Sequence, residues 1–534
     1  MKKSIFTCFN LFLIFGLFSF NLQALNYYSY QSGNWNNANT WTTDPSGTTL
    51  VGSAVPGNSD AVTVLNGITV TLTSSPTTTN NVLTINLGGI LNLSTFTFTS
   101  GLTSINGAGT LRIGSNYFPS GTNNFTSTSG STVEYYDWAA DGVFPTTPVT
   151  YYNLTLTHSL ATSRIISFGS AATTINGSFV MSCSGTSLTF QLGDVVGTAR
   201  SLAFNGDVTI GFGCTMNVLA ASTVAHTLTC AGNFTNNGTV DLTNLADYSA
   251  TATNKANVTF NGAADKILTI NSVNTSFGNF TINKGTDQTF ILSVVCSVAG
   301  TTPFDGNLSN NMITLTSGTL KLGTNITVPQ LNTTGNYDVS TSQDNNAGIW
   351  IDGANVTQGG GSAMVIYGKF RISAGTYVIN SGQACIVTRD QGELLFEGGT
   401  TTMVTLRPST NALSIGSYTQ SGGIVNITGA VTNTGFPVFS WPFTTASFNM
   451  SGGTINVALP SNSGAAVNGG ILIGSASYNV TGGTWNIIVP ASAINFNINS
   501  TVPFWDLNVS KAGAGAGVLT IGDQGISHSS LPAI

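Results

Sequence analysis

The region Tyr418–Ile487 reads YTQSGGIVNI from Tyr418, FNMSGGTINV from Phe448 and YNVTGGTWNI from Tyr478, each copy starting 30 residues after the one before. Every copy opens on an aromatic residue, turns at a pair of glycines and closes on an asparagine between two apolar residues. Short alternating runs on either side of a glycine turn, repeated at a fixed period, are typical of stacked β-architectures. This region therefore decides the fold.

Thirty residues hold about three short strands and their corners, whereas a propeller blade needs roughly 40–50 residues and four strands. We predict that Tyr418–Gln420, Ile424–Thr428 and Phe436–Ser440 form one turn of a coil. Successive turns would stack at about 4.8 Å, with identical positions directly above one another. The predicted fold is a right-handed parallel β-helix, since crossovers between parallel strands are almost always right-handed.

Stacking explains why single positions keep their residue type. Aromatic residues would pack on aromatic residues, glycines would lie at a corner, and the asparagines would form an amide ladder at a bend. The recurring positions are Gly422/Gly423, Gly452/Gly453 and Gly482/Gly483 for the glycines, and Asn426, Asn456 and Asn486 for the asparagines.

The composition of the 534-residue chain also predicts an all-β protein. Charged residues make up only 6 % of it, against about 25 % in ordinary soluble domains, and Gly reaches 62 residues. Glutamate occurs three times, so exposed amphipathic helices are hard to build. The net charge of −6 and the lack of a basic run after Lys3 argue against nucleic acid as a partner.

The N-terminus has the pattern of a secretory signal peptide over residues 1–24. Lys2 and Lys3 form its basic start, an apolar segment runs from Ile5 to Phe20, and Ala24 offers a small residue for cleavage. No later apolar run approaches the ~20 residues that span a bilayer. We therefore expect a secreted or cell-surface protein with no membrane-spanning segment after signal removal.

The mature start differs from the later repeats and is interpreted as an N-terminal cap with the first coils, residues 25–81. It reads SGNWNNANTW from Ser32, which contains Trp35 and Trp41, and then VPGNSDAVTVLNGITVTL from Val55. A solenoid needs an atypical first unit to cover its open edge, and the two tryptophans would close the core there. The functional alternative is an aromatic platform for a sugar.

From Val82 the chain alternates apolar and polar residues, which predicts β-helix modules over 82–305 and later coils over 306–534. A second repeat links TYYNLTLTHS from Thr150, SFGNFTINKG from Ser276 and PFWDLNVSKA from Pro503. The first two copies share an upstream Ala-Ala-Asp, ending at Asp141 and Asp265. The third copy has few residues after it, so we expect an incomplete C-terminus.

One segment concentrates charge in this charge-poor chain. It contains Lys369, Arg371, Arg389, Asp390, Glu393, Glu397 and Arg407. The three arginines are evenly spaced in the sequence, so short coils would stack them as a ladder beside Asp390 and Glu393. One interpretation is a binding site for an anionic polysaccharide, and the other is a network of surface ion pairs.

No residue pattern points to catalysis, a cofactor or a metal. The three histidines, His158, His226 and His528, are far apart and are interpreted as surface residues. The five cysteines after the signal are scattered without a CxxC pair, which disfavours zinc and fits small core groups. A disulfide such as Cys214–Cys230 stays open.

The cap motif, the YYNLTLT, FGNFTIN and FWDLNVS units and the SGGT-type coils together resemble the large repetitive surface proteins of Bacteroidetes that use the type IX secretion system. The resemblance spans nearly the whole mature chain and implies a β-helical, adhesin-like surface protein. Such proteins usually end in a C-terminal sorting domain, which is not recognisable here.

These observations predict an extracellular structural or adhesive β-helical rod without catalytic activity, monomeric or part of a longer chain. Surface glycans or other cell-surface components are the expected partners. Candidate binding residues are Arg371, Arg389, Asp390, Glu393, Arg407, Trp35 and Trp41. The alternatives are a β-helical polysaccharide lyase or hydrolase and a glycan-binding module without turnover, since this fold supports both.

Overall fold

A computed structural model describes residues 24–243, 255–304, 312–331, 337–340, 345–359, 363–379, 385–388, 391–407, 415–429, 437–458, 470–489, 495–514 and 518–521, with backbone alone at 385–388, 495, 518 and 520. The chain is all-β, with 52 % strand and 1 % helix, and forms a parallel β-solenoid of about 14 turns. The predicted fold class is confirmed, while its handedness stays a prediction. Two compact units divide the chain, residues 1–135 and 136–534.

The first unit pairs its strands into two sheets. One contains β1 (Asn26–Ser29), β3 (Trp41–Thr42), β4 (Ala61–Val64), β6 (Asn81–Ile85), β8 (Leu102–Gly107) and β10 (Thr122–Asn123). The other contains β2 (Gly33–Asn34), β5 (Thr69–Thr71), β7 (Ile90–Asn92), β9 (Thr110–Ile113) and β11 (Thr132–Tyr136). Each turn places one strand in each sheet, with apolar side chains inward at alternate positions.

The segment predicted as a cap has its own pairing. Strand β1 pairs parallel with β4 and antiparallel with β3. A short 3₁₀ helix, Ala38–Thr40, follows Asn37, whose side chain accepts a hydrogen bond from the Asn39 N–H. The role of this segment as an edge cover, and the predicted boundaries at 81/82 and 305/306, stay predictions.

The second unit begins with three strands per turn, one in each of three sheets. The first sheet contains β12 (Gly142–Val143), β15 (Arg164–Phe168), β18 (Leu188–Leu192), β21 (Cys214–Val218), β24 (Thr239–Asp241) and β27 (Thr275–Ser276). The second contains β13 (Thr150–Tyr151), β16 (Ala172–Ile175), β19 (Ser201–Phe204), β22 (His226–Cys230), β25 (Ala256–Phe260) and β28 (Asn279–Asn283). The third starts with β14 (Asn153–His158), β17 (Phe179–Cys183), β20 (Val208–Ile210), β23 (Phe234–Asn236), β26 (Lys266–Ile270) and β29 (Ile291–Cys296).

From residue 313 the second and third sheets merge, because one long strand, β30 (Ile313–Leu322), pairs with both β28 and β29. The merged sheet, called here the long sheet, continues through β31 (Thr327–Val328), β33 (Ala347–Gln358), β35 (Lys369–Ile379), β37 (Glu393–Phe396), β38 (Thr400–Met403), β40 (Ser417–Gln420), β41 (Ile424–Ile427), β43 (Ser447–Ala458), β45 (Ser477–Val489) and β47 (Asp506–Lys511).

The opposite wall of these later turns is a separate sheet of eight strands. It contains β32 (Tyr337–Val339), β34 (Met364–Ile366), β36 (Cys385–Thr388), β39 (Thr405–Leu406), β42 (Phe439–Trp441), β44 (Gly470–Ile473), β46 (Asn495–Ser500) and β48 (Val518–Ile521). Strands β40, β41 and β42 lie close to the three strands predicted for one coil. The first two predicted strands of that turn are therefore confirmed. The third overlaps its prediction, Phe436–Ser440, only at Phe439 and Ser440, and Phe436 lies outside the described residues.

The Ala-Ala-Asp of the longer repeat has a physical explanation. The Asp141 carboxylate accepts a hydrogen bond from the Ile165 N–H at 2.9 Å, and the Asp265 carboxylate accepts one from the Ile291 N–H at 2.8 Å. Both donors lie at or next to the first residue of a strand in a later turn. The repeated aspartate thus fastens one turn to the next.

The repeated positions of Tyr418–Ile487 stack largely as predicted. The Tyr418 and Phe448 rings lie 4.7 Å apart and within 3° of parallel. Tyr478 is in register with Phe448 but 49 % exposed. Within the described chain, β47 pairs only with the Thr484–Val489 half of β45, so the half that carries Tyr478 has a strand on one side alone.

The asparagines form a hydrogen-bonded ladder along the outer side of the long sheet. Nδ2 of Asn456 donates to Oδ1 of Asn426 at 2.8 Å, Asn486 donates to Asn456 at 2.8 Å, and Asn508 donates to Asn486 at 3.0 Å. The ladder begins where Asn426 donates to the Thr402 hydroxyl at 3.3 Å. The amide ladder is confirmed, but it runs across strands rather than at a bend.

The second glycine of each pair has a positive φ, 68° at Gly423, 81° at Gly453 and 102° at Gly483, which explains the corner. The first glycine admits close backbone approach, since a Cβ on Gly452 would lie 2.5 Å from the Ser421 carbonyl oxygen. The same corner occurs one turn earlier at Gly398/Gly399, but that turn is shorter than the repeats that follow it. That turn was not predicted, because its length differs from the 30-residue period of the later copies.

Candidate functional site

The most distinctive surface of the second unit is a column of charged and aromatic side chains on the long sheet. Lys321, Trp350 and Arg371 occupy successive strands in direct register. Their neighbours along each strand, such as Ile349 and Ile351, point into the core. Alternation therefore directs all three side chains outward. We call this surface, with Asp352 and Ser373, the Trp350 face.

The Trp350 ring is held between two cations. Lys321 Nζ lies 3.9 Å from the ring centroid, and the Arg371 guanidinium carbon lies 3.6 Å from it. Because the three residues come from consecutive turns, the cations approach from neighbouring strands on either side. Each such contact stabilises by about 0.5–2 kcal/mol, depending on desolvation.

Three cations on and beside this face each have a carboxylate partner. Lys321 pairs with Asp352 at 2.7 Å, Lys369 pairs with Glu393 at 2.8 Å and Arg371 pairs with Glu397 at 2.9 Å. The side chains in these pairs are about one quarter to one third exposed. Solvent screens such pairs, so each contributes at most about 1 kcal/mol. The ion-pair interpretation of the charged segment is the one that this geometry favours.

Ser373 ties the aromatic ring to the ion pairs. Trp350 Nε1 donates to Ser373 Oγ at 2.7 Å, and Ser373 Oγ donates to Asp352 Oδ1 at 2.5 Å. Burial acts to raise the pKa of Asp352, but hydrogen bonds from Lys321 and Ser373 and the charges of Lys321 and Arg371 together lower it. Asp352 is consequently held as a carboxylate.

Two concave regions flank the Trp350 face. The first has a volume of about 380 Å³ and is lined by Asp287, Gln288, Thr289, Ile291, Thr319, Asn345, Ile349, Trp350, Lys369 and Arg371. The second has a volume of about 430 Å³ and is lined by Ile267, Ser293, Val294, Val295, Cys296, Lys321, Gly323, Thr324 and Asp352. Both volumes fall within the range of small-molecule sites.

Polar groups in the first cavity are already oriented. Gln288 Nε2 donates to the Asn345 carbonyl oxygen at 2.7 Å and also contacts the Asn345 side chain. The Asp287 carboxylate accepts hydrogen bonds from the Thr289 hydroxyl and N–H, which lower the pKa of Asp287. A ligand in this cavity would meet amide, carboxylate and indole groups.

The predicted arginine ladder is not formed. The register of the long sheet pairs Lys369 with Glu393 and Arg371 with Leu395. Arg407 follows β39, which belongs to the eight-stranded sheet on the opposite wall. The even spacing of the arginines therefore does not correspond to a turn. Arg389 and Asp390 lie outside the described residues.

Trp35 and Trp41 are structural residues of the first unit. They are 1 % and 0 % exposed, with ring centroids 5.0 Å apart in an edge-to-face contact. Trp41 Nε1 donates to the Trp35 carbonyl oxygen at 2.8 Å, and Trp35 also contacts Phe98. Buried indoles offer no face to a sugar, which is why the platform interpretation is wrong.

Two of the three histidines are buried rather than on the surface. His158 is 2 % exposed, with Nε2 at 2.5 Å from the Thr162 carbonyl oxygen. His226 is 0 % exposed, and its Nδ1 accepts a hydrogen bond from the Arg200 N–H at 3.0 Å. Burial first, and the Arg200 charge second, lower the pKa of His226. His528 lies outside the described residues.

The described cysteines are free thiols, so the Cys214–Cys230 disulfide is absent. Cys214 and Cys230 are buried, and burial raises the pKa of Cys214 to about 12. This agrees with the interpretation of small core groups, which Cys183, at intermediate exposure, fits less well. The side chain of Cys385 lies outside the described residues.

Sequence reasoning found Arg371 and Glu393 but missed Lys321, Trp350 and Asp352. The missing signal was spatial, because Trp350 is farther in sequence from Lys321 than from Arg371. Because the turns differ in length, these residues lie at unequal intervals in the sequence, and no fixed period brings them together. A tryptophan just before an Ile-Asp pair, in a chain so poor in charge, was the available clue.

Across the described ranges, no group of three or more His, Cys, Asp or Glu side chains is placed to hold a metal ion. No helix within those same ranges is long and apolar enough to cross a membrane. Comparisons with protein-family models, with curated proteins and with solved structures found no match to this chain.

Proposed function

We propose that this protein is an extracellular structural or adhesive β-solenoid of a bacterial cell surface, acting without catalysis. The observation that carries the proposal is the Asn ladder, Asn426 to Asn508, which keeps an outward column neutral and hydrogen-bonded over four turns. Repeating one uncharged rung favours a regular, stable surface. Such a surface suits reach and adhesion.

The carboxylates near the two cavities support a role other than acid–base catalysis. The pKa values of Asp287 and Asp352 are lowered, whereas a general acid that works near neutral pH needs a raised one. Glu393 and Glu397 are each engaged by a cation. These ion pairs fit a role of the carboxylates in stabilising the stacked turns better than a role in proton transfer.

A test combines localisation with function. We expect labelled antibody or protease on intact cells to reach the protein, and a deletion strain to adhere less to polysaccharide-coated surfaces than its complemented parent. Purified mature chain should release no reducing ends or unsaturated uronate from a polysaccharide panel. Retention inside the cell, or turnover of any polysaccharide, would contradict the proposal.

A second candidate function is glycan binding at the Trp350 face, favoured by the adjoining cavities of about 380 and 430 Å³. Lys321 and Arg371 cover the indole ring, so a sugar would meet its edge and the polar groups of Gln288 and Asn345. Because the cations are paired with carboxylates, we expect neutral oligosaccharides to bind better than uronate oligomers.

Calorimetric titration with neutral and uronate oligosaccharides tests this candidate. Gln288→Ala should weaken binding of a neutral oligosaccharide several-fold, because it removes one polar group of the first cavity. Asn449→Ala, on an outward position of β43, serves as the matched control. Equal binding by both variants and the wild type would place the glycan elsewhere, and no binding at all would remove the candidate.

A further inference from the structure

Asp60 is a buried carboxylate that directly precedes strand β4. The residue is only 7 % exposed. One oxygen, Oδ2, accepts a hydrogen bond from the Gly57 N–H at 2.6 Å. The other, Oδ1, accepts one from the backbone nitrogen of Leu25 at 2.8 Å. The two carboxylate oxygens of Asp60 are therefore hydrogen-bonded to two neutral backbone N–H groups.

The described part of the chain supplies Asp60 with no lysine, arginine or histidine partner within ion-pair distance. Buried carboxylates are ordinarily paired with a cation, because removing a lone charge from water is costly. The charge also acts on its surroundings, since burial first and Asp60 second raise the pKa of Tyr27. A cation next to Asp60 would therefore offset the cost of burying its carboxylate.

Leu25 is the residue that follows the predicted signal peptide, residues 1–24. Its backbone is fixed, because the Leu25 carbonyl accepts a hydrogen bond from the Ala61 N–H at 2.9 Å and Asn26 pairs with Ala61. Hydrolysis of the Ala24–Leu25 peptide bond adds water, leaving a carboxylate on Ala24 and an amine on Leu25. At neutral pH that amine takes up a proton.

We propose that the Ala24–Leu25 bond is the processing site of this protein and that the α-ammonium released on Leu25 is the counter-ion of Asp60. The nitrogen that becomes charged already lies 2.8 Å from Asp60 Oδ1. Processing therefore replaces a neutral donor by a charge-assisted one at the same atom, which strengthens the bond. Cleavage would fasten strand β1 to β4 in the exported chain.

The first experiment determines the N-terminus of the protein exported by its own host, by mass spectrometry of the N-terminal peptide. We expect the chain to begin at Leu25. A chain that begins at any other residue would overturn the proposal, because its ammonium would no longer be the atom bonded to Asp60.

The second experiment measures the pairing in chains 25–534 and 23–534, each as wild type and as the Asp60→Asn variant. At pH 7, an N-hydroxysuccinimide ester should acylate the Leu25 amine at least about tenfold more slowly in wild-type chain 25–534 than in its variant, because a paired ammonium deprotonates less readily. Equal acylation rates would contradict the pairing.

The extended chain 23–534 is the matched control, since it keeps Asp60 and its two backbone donors but moves the ammonium two residues away. Asp60→Asn should lower the melting temperature more in chain 25–534 than in chain 23–534. An equal loss would show that Asp60 acts only through Gly57 and the Leu25 N–H, which would overturn the proposal. If Asp60→Asn fails to fold, the two wild-type chains still decide, because chain 25–534 should melt higher.

Discussion

The Asn ladder and the Trp350 face lie on the same long sheet, but they differ in which side chains they place on adjacent strands. In the ladder, Asn456 has an asparagine on the strand before it and another on the strand after it. On the Trp350 face, Lys321 and Arg371 do not occupy adjacent strands, because Trp350 lies between them. Strands spaced about 4.8 Å apart can repeat a neutral amide indefinitely but cannot repeat a charge without repulsion.

This difference indicates where charged and chemically varied side chains can be placed on the surface of a parallel solenoid. Regular turns demand the same residue at each rung, so their surface is uniform. A charged segment must alternate residue types and recruit partners from further along the chain, as Arg371 does with Glu397. Irregular surface chemistry is therefore expected where the repeat fails.

The largest loss of stability is expected from a substitution at the glycine corner of the repeated turns. Gly453 has a φ of +81°, and a Cβ there would lie 2.4 Å from the Gly422 carbonyl oxygen. Gly453→Ala should destabilise the unit by about 3 kcal/mol through backbone strain and this clash. Denaturant unfolding measures the loss. Ser451→Ala, at an exposed position of the same strand, is the control and should change little.

Next in size is the replacement of Trp350 by lysine, which puts three cations on consecutive strands. Losing two cation–π contacts and adding repulsion should cost about 2 kcal/mol, and added salt should reduce that loss. Thermal unfolding at low and high salt measures both effects. Trp350→Phe keeps an aromatic ring and should cost less. Equal, salt-independent losses in both variants would show that Trp350 contributes packing alone.

Introducing a negative charge into the Asn ladder is expected to lower stability by a smaller amount. Asn456→Asp removes the donor to Asn426 and faces two oxygens toward each other, which should cost about 1–2 kcal/mol at pH 7. Below the pKa of the new carboxyl group the loss should shrink, since a protonated acid can donate. Asn449→Asp, outward on the same strand but outside the ladder, is the control. Thermal unfolding of both variants at pH 7 and pH 3 shows whether the loss of stability, and its decrease at acid pH, is specific to Asn456→Asp.

The smallest effect concerns the pH dependence of the Trp350 face. The pKa of Asp352 is lowered in the folded protein, so at acid pH the unfolded chain binds more protons and stability rises with pH. Its contribution is present above the unfolded pKa of about 3.9 and is lost as pH falls through the folded value. Asp352→Asn should reduce the stability difference between pH 6 and pH 3 by about 1 kcal/mol or less, as measured by denaturant unfolding. An unchanged difference would contradict this role.

Much of the fold could be predicted because stacking imposes its demands on single residues. Alternation and the recurrence of Gly423, Gly453 and Gly483 were sufficient to identify strands, corners and turn length in that region. The turn that contains Gly398/Gly399 was missed because its length differs. Tyr478 was expected in the aromatic stack, yet its exposure depends on which strands cover it, and that depends on tertiary structure.

The site was harder to predict. Arg371 and Glu397 are distant in sequence, as are Lys321 and Asp352, so only the register of the long sheet brings each pair together. Similarly, the sequence around Trp35 and Trp41 suits either a surface platform or a core. Burial decided between these alternatives, and local pattern does not encode burial.

The hydrogen bonds of the Asn ladder all run in one direction, from Nδ2 of each residue to Oδ1 of the residue one turn earlier. The carboxamide dipoles therefore add along the stack, whereas backbone dipoles in a sheet largely cancel. The two ends of the row become chemically different. Its early end requires an acceptor, which the Thr402 hydroxyl provides, whereas the last carboxamide of the row among the described residues, that of Asn508, ends in an acceptor oxygen. The surface thus has an electrical polarity that its composition alone does not reveal.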